Sequence, residues 1–122
     1  GINGLDLFLG GEPTIDLLLR HLRHCLDLVG PDHVGLGLDF VYDPETLANV
    51  LLRGTAARFP SSSGYDRARI PRFFQPEHVP ALTEALLGIG LGEGDIRKLL
   101  GENWMRVARQ VWGPEKTERP SR

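Results

Sequence analysis

Asp39 is the residue of this chain whose type and position best suit chemistry. It closes the run His33-Val34-Gly35-Leu36-Gly37-Leu38-Asp39-Phe40, in which Val34, Leu36 and Leu38 share one face and Gly35, Gly37 and Asp39 the other. Two glycines leave that second face almost bare until the carboxylate at its end, where an ordinary core strand would carry bulk. Barrels and open α/β sheets build their sites at the carboxyl ends of parallel strands. An acidic group there can hold a metal, take a proton from water or pair with a substrate amine. An Asp in this place can also cap the turn at Asp43-Pro44, and the pattern alone leaves both roles open.

Other candidates carry less. His21 and His24 lie three apart on a predicted helix, a spacing compatible with joint metal binding, but no third ligand accompanies them and both read as helix-surface residues. His33 sits at the opposite end of the extended run from Asp39, and His78 opens a helix with no acidic or thiol cluster around it, so both read as structural. Cys25 is the only cysteine, which excludes an internal disulfide and a cysteine-built metal site; it reads as a small buried hydrophobe. No Gly-x-Ser-x-Gly elbow, Walker loop or His-Glu-x-x-His occurs, so serine hydrolase, nucleotide-binding and standard zincin readings find no support. The glycines at 88, 90 and 92 follow a helix rather than precede one, and suit caps and turns rather than a phosphate loop.

The elements that position Asp39 begin with Gly1-Ile2-Asn3-Gly4-Leu5, read as the end of a buried strand entering a loop at Gly10-Gly11. Pro13-Thr14 then starts a helix whose apolar positions Ile15, Leu18, Leu19, Leu22, Leu26 and Val29 recur at three- and four-residue spacing until Gly30-Pro31 stops it. Strand, helix, strand is the order of a βαβ unit in a parallel sheet, with the two glycines facing a barrel bore or ligand. From Val41 to Gln75 the pattern weakens into a long excursion, with a short helix from Pro44 to Leu52. Its aromatic and basic residues, Phe59, Tyr65, Arg67, Arg69, Arg72, Phe73 and Phe74, suit a lid or pocket wall. Helices follow at Pro76–Ile89, with a stripe of Val79, Leu82, Leu86 and Ile89, and at Asp95–Leu100. A last helix from Asn103 is expected to bury Trp104, Val107 and Val111. Residues 115–122 are polar and aperiodic, and are expected to form a disordered tail.

Bulk properties narrow the partners. The 14 Lys and Arg against 16 Asp and Glu give a formal charge of −2, without the basic field that draws nucleic acid or anionic lipid. The apolar runs fall far below the roughly 18 residues of a membrane span, so a soluble segment is expected, with no membrane contact and with the cytoplasm favoured. Gly1, in place of Met, opens the chain inside an apolar stretch, which leads us to expect further sequence upstream.

The run Leu26 to Phe40, centred on Asp32-His33-Val34-Gly35-Leu36-Gly37-Leu38-Asp39-Phe40, resembles the segment ending the last barrel strand of the membrane (renal) dipeptidase family of zinc metallopeptidases. Leu82-Thr83-Glu84-Ala85-Leu86-Leu87, followed by Asp95-Ile96-Arg97-Lys98-Leu99-Leu100-Gly101-Glu102-Asn103-Trp104-Met105-Arg106-Val107, is similar to that family's terminal pattern. Gly1-Ile2-Asn3 resembles its Gly-Val-Asn. The resemblance implies an α/β fold, with residues 1–114 as the incomplete C-terminal part of a TIM-like (β/α)8 barrel: its last two strands and its C-terminal helices. It implies a two-zinc centre whose bridging water hydrolyses dipeptides, with Asp39 as the acid/base carboxylate. Asn3, Gly4, Leu5 and Phe40 would flank the place where the substrate's carboxylate end is received. A homodimer is compatible with it. Departures adjoin the site: Leu38 stands where the family has a small residue, Val41-Tyr42 stands where it has Asp-Gly, and Gly4-Leu5 stands where aromatics are common. The family's zinc ligands belong to earlier strands and match nothing in this chain. Whole barrels of this kind need about 250 residues, so the segment alone is expected to be inactive and unstable. The alternative is a non-catalytic helical module that binds a protein partner.

Overall fold

The computed structural model describes residues 1–54 and 70–113, the side chains of 51–54 excepted. The expectations for Phe59, Tyr65, Arg67, Arg69 and the tail at 115–122 lie outside the described residues. The described chain is helical: α1 (Asp6–Leu9), α2 (Ile15–Val29), α3 (Pro44–Gly54), α4 (Val79–Gly88), α5 (Glu93–Arg97) and α6 (Asn103–Trp112). Single 3-10 turns stand at Pro31–His33 and Pro76–His78, and a wide π-type turn at Lys98–Glu102 kinks the chain between α5 and α6.

The sequence signals set α2. The Thr14 hydroxyl accepts from the Leu17 amide at 3.3 Å, supplying one of the bonds a first turn lacks, and Gly30 closes the helix at φ 75°, a backbone shape that suits glycine. Leu18 and Leu22 are fully buried where α2 packs on α4, whose own Leu82 and Leu86 meet them. Phe74, Val34, Ile96, Leu99 and Leu9 complete this core. Phe73 and Phe74, expected in a lid or pocket wall, are buried, and Phe74 is wholly so as part of the core. The same segment is held to the loop before α2 by an ion pair between Arg72 and Glu12.

The expected barrel strands do not form, and the α/β assignment is corrected to a small all-helical domain. Ile2 and Leu36 make one parallel bridge, through Ile2 N–H to Gly35 O at 2.7 Å and Gly37 N–H to Ile2 O at 3.0 Å. A ladder would next take the Gly4 amide to Gly37 O, but it goes to Leu38 O at 3.1 Å, while the Gly4 carbonyl accepts from Phe74 N–H at 2.8 Å. The register slips and pairing ends. On the far side of Leu36, where another strand would dock, its amide donates to Leu99 O at 3.0 Å and its carbonyl accepts from Trp104 Nε1 at 2.8 Å. Helical elements have taken the backbone groups a sheet would use. Among the described residues, isolated bridges at Ile2–Leu36 and Leu5–Phe73 are all the β pairing there is.

The bare glycine face likewise meets Trp104 rather than a bore: a Cβ on Gly35 would lie 2.7 Å from Trp104 Nε1. Trp104, Val107 and Val111, expected to be buried, are 50%, 43% and 69% exposed. The rotation of α6 is set by its first residue, because buried Asn103 donates from Nδ2 to Pro31 O at 2.7 Å and to Val34 O at 2.8 Å. Those bonds satisfy a buried amide and pin the start of the helix to the turn after α2.

The same turn is joined to the π-type turn by Lys98, which pairs with Asp32 at 2.7 Å and Asp95 at 2.9 Å. The hydrogen bond and charge of Lys98 hold the Asp32 carboxyl below the usual carboxylate range, and the two acids raise Lys98. The Asp32 contribution to stability is therefore complete above the unfolded carboxylate range and is lost as pH falls through the depressed folded value. The Lys98 contribution is complete below the ordinary lysine range and is lost as pH rises through its raised value. Asp32→Asn should flatten the acid limb of stability against pH, measured by urea midpoints. The effect should be small, because both side chains are partly exposed and screened.

Candidate functional site

Asp39 is exposed and adopts φ 57°; among the described residues it is the one non-glycine with positive φ. A side chain in this left-handed region crowds the following carbonyl, and Asp and Asn tolerate it better than most residues. Such positions persist where surrounding contacts over-determine them. Here those contacts come from the amino-terminal segment. Asn3 Nδ2 donates to Asp39 Oδ2 at 3.2 Å, and Asn3 Oδ1 accepts from the Leu5 amide at 2.7 Å, so the Asn3 side chain is fixed at both ends of its amide. The Gly4 amide on Leu38 O holds the backbone one residue before the carboxylate.

The structure thus gathers Asn3, Gly4, Leu5 and Asp39 at one place, joining segments 36 residues apart. Leu5 is buried, bridging Phe73. Phe40 is half-buried, its ring edge-on to Phe73 at 6.2 Å and to Tyr42 at 5.1 Å. The capping role left open for Asp39 belongs to Asp43: its Oδ1 accepts from Thr46 N–H at 2.9 Å at the start of α3, and that bond holds its carboxyl below the usual range. Asp39 is left as an exposed carboxylate that accepts from the Asn3 side-chain amide.

Gly4 is where this cluster is tightest. A Cβ there would stand 2.8 Å from Leu38 O and 3.0 Å from Phe74 Cβ, and backbone cannot yield as a flexible side chain can. Gly4→Ala should cost about 1–3 kcal/mol and loosen the Asn3–Asp39 contact, checked by denaturation and by the side-chain amide resonances of Asn3.

The histidines serve the fold or face solvent. His21 Nε2 donates to Leu9 O at 3.0 Å, tying α1 to α2, and His78 sets its ring edge-on to Phe74 at 5.8 Å. His24 and His33 are exposed. Among the described residues no group of three or more His, Cys, Asp or Glu converges to hold a metal ion, and Asp39 has an amide beside it rather than a second ligand. The described residues therefore do not fit a zinc centre. Sequence reasoning missed Asn3 as the partner of Asp39, since nothing in either segment marks the other.

No family model and no solved structure matches the chain. It is 33% identical over 118 residues to a Klebsiella pneumoniae protein described as an uncharacterized protein in the pqqA 5' region, a match covering 92% of this chain and 35% of that protein. The chain thus spans about a third of the length of this relative. Among the described residues, no helix is long and apolar enough to cross a membrane.

Proposed function

We propose that this chain is the part of a longer dipeptidase that presents Asp39 as the acid/base carboxylate for hydrolysis of a dipeptide. The observation that carries the reading is the Asp39 carboxylate, turned out at φ 57° and held at 3.2 Å by an amide from a segment 36 residues away. A strained, exposed and positioned carboxylate suits proton transfer more than packing. The resemblance over Leu26 to Phe40 and Asp95 to Val107 points to the same residue, and the coverage of the Klebsiella protein accommodates a longer chain.

In this reading Asp39 accepts a proton as water oxygen bonds to the peptide carbonyl carbon. It returns that proton to the amine nitrogen as the carbon–nitrogen bond breaks, leaving two amino acids. Asn3 holds the carboxylate in place, and Gly4, Leu5 and Phe40 bound the space around it. The zinc that the resemblance implies has to be supplied by residues outside this chain, and no step is derived through it.

A second reading, a helical module that binds a protein partner, is favoured by the exposed apolar residues Trp104, Val111 and Trp112 on α6. Assay of the longer protein against a dipeptide panel separates the two. Turnover by the longer protein but not by this chain supports the dipeptidase, whereas an inert longer protein that keeps its fold supports the module.

A further inference from the structure

A second feature of the surface lies away from Asp39. It is an open groove of about 1200 Å³ between the Pro31–His33 turn, the π-type turn and one side of α6. Arg97, Lys98, Arg106 and Arg109 line it, against Asp32 and Glu102. Both acids are already engaged: Asp32 with Lys98 at 2.7 Å, and Glu102 with Arg97 at 3.3 Å. The Arg106 guanidinium is held by uncharged acceptors, Asp32 O at 2.6 Å and Asn103 Oδ1 at 3.4 Å. Arg109 forms no ion pair among the described residues. Two guanidinium groups one helical turn apart therefore bring positive charge to the groove with no carboxylate of the described residues at ion-pair distance, although the Arg106 charge does help to hold the nearby Asp32 carboxyl below its usual range. Leu100 and Met105 add apolar surface to the groove.

We propose that this groove binds a small organic anion, a carboxylate or phosphate carried on an apolar body, through Arg106 and Arg109. Guanidinium forks match planar carboxylate and phosphate oxygens, and Arg106 is partly oriented already by its two hydrogen bonds. The apolar body lies on Leu100 and Met105. The site is separate from Asp39 and stands whether or not the chain contributes to hydrolysis.

The test is a titration of this chain, followed by backbone amide resonances, with phenyl phosphate, phenylacetate and benzyl alcohol as probes. Saturable shifts confined to residues 31–33 and 97–110 are expected for one or both anions below about 1 mM, with benzyl alcohol at least about tenfold weaker. The two anions distinguish phosphate from carboxylate as the group recognised. Arg109→Gln, at an exposed position that leaves the fold intact, should weaken the anion about tenfold, and Arg106→Gln with Arg109→Gln should abolish it. Equal binding of benzyl alcohol, shifts outside the groove, no shift, or Arg109→Gln binding as tightly as the parent would each overturn the proposal.

Discussion

Asp39→Asn in the longer protein is expected to lower kcat for dipeptide hydrolysis by about 10²- to 10⁴-fold, the range spanned by loss of a positioned general acid or base. The substitution is nearly isosteric, and Asn tolerates the left-handed backbone at φ 57° as well as Asp does, so the local fold should not change. It removes only the group that accepts and returns the proton. Zinc content should be unaltered, because Asp39 has an amide beside it rather than a ligand set. Asp39→Gly relieves the steric cost of positive φ, roughly 1 kcal/mol, yet also loses the carboxylate. Stability that is kept or gained while activity falls would mark the position as one maintained for chemistry. Parallel losses of both would mark it as structural.

The second large effect falls on the core. Phe74→Ala is expected to destabilise the chain by about 3–5 kcal/mol, the range for removing a fully buried aromatic ring. Phe74 is fully buried in the cluster that α2 and α4 form with Leu18, Leu22, Leu82 and Leu86, and its backbone amide fixes Gly4. A domain of this size has about 5–15 kcal/mol in total, so the variant should populate unfolded chain at modest urea. Leu28→Ala, at a residue 69% exposed on the other side of α2, should move the urea midpoint by no more than about 0.5 kcal/mol equivalent. Similar losses at both positions would mean that the core is not the one described.

The helices were legible because their signals are local. Three- and four-residue spacing in Ile15 to Leu26, a Thr14 cap and a Gly30 stop are contained within one segment, and α2 runs from Ile15 to Val29 as they require. The run before Asp39 was legible as non-helical but not as unpaired, and the left-handed turn at Asp39 itself was not foreseen. Whether such a segment joins a sheet depends on what reaches its two edges, and here Leu99 and Trp104 reach one edge while the Gly4 register slips on the other. Alternation in sequence cannot encode those distant partners. The face of α6 was misread for the same reason. Its apolar stripe is real, but the side-chain bonds of Asn103 to Pro31 O and Val34 O fix a rotation that leaves Val111 in solvent. At the candidate site, Asp39 stood out by its position after two glycines. The clamp from Asn3 became visible only when the fold closed a gap of 36 residues.

The most direct test of the dipeptidase reading is zinc content and dipeptide turnover, measured together on this chain, on the longer protein and on its Asp39→Asn form. Zinc and turnover are expected in the longer protein alone, with Asp39→Asn keeping the metal and losing the rate. A folded longer protein without zinc or turnover, or an Asp39→Asn form as fast as the parent, would contradict that reading.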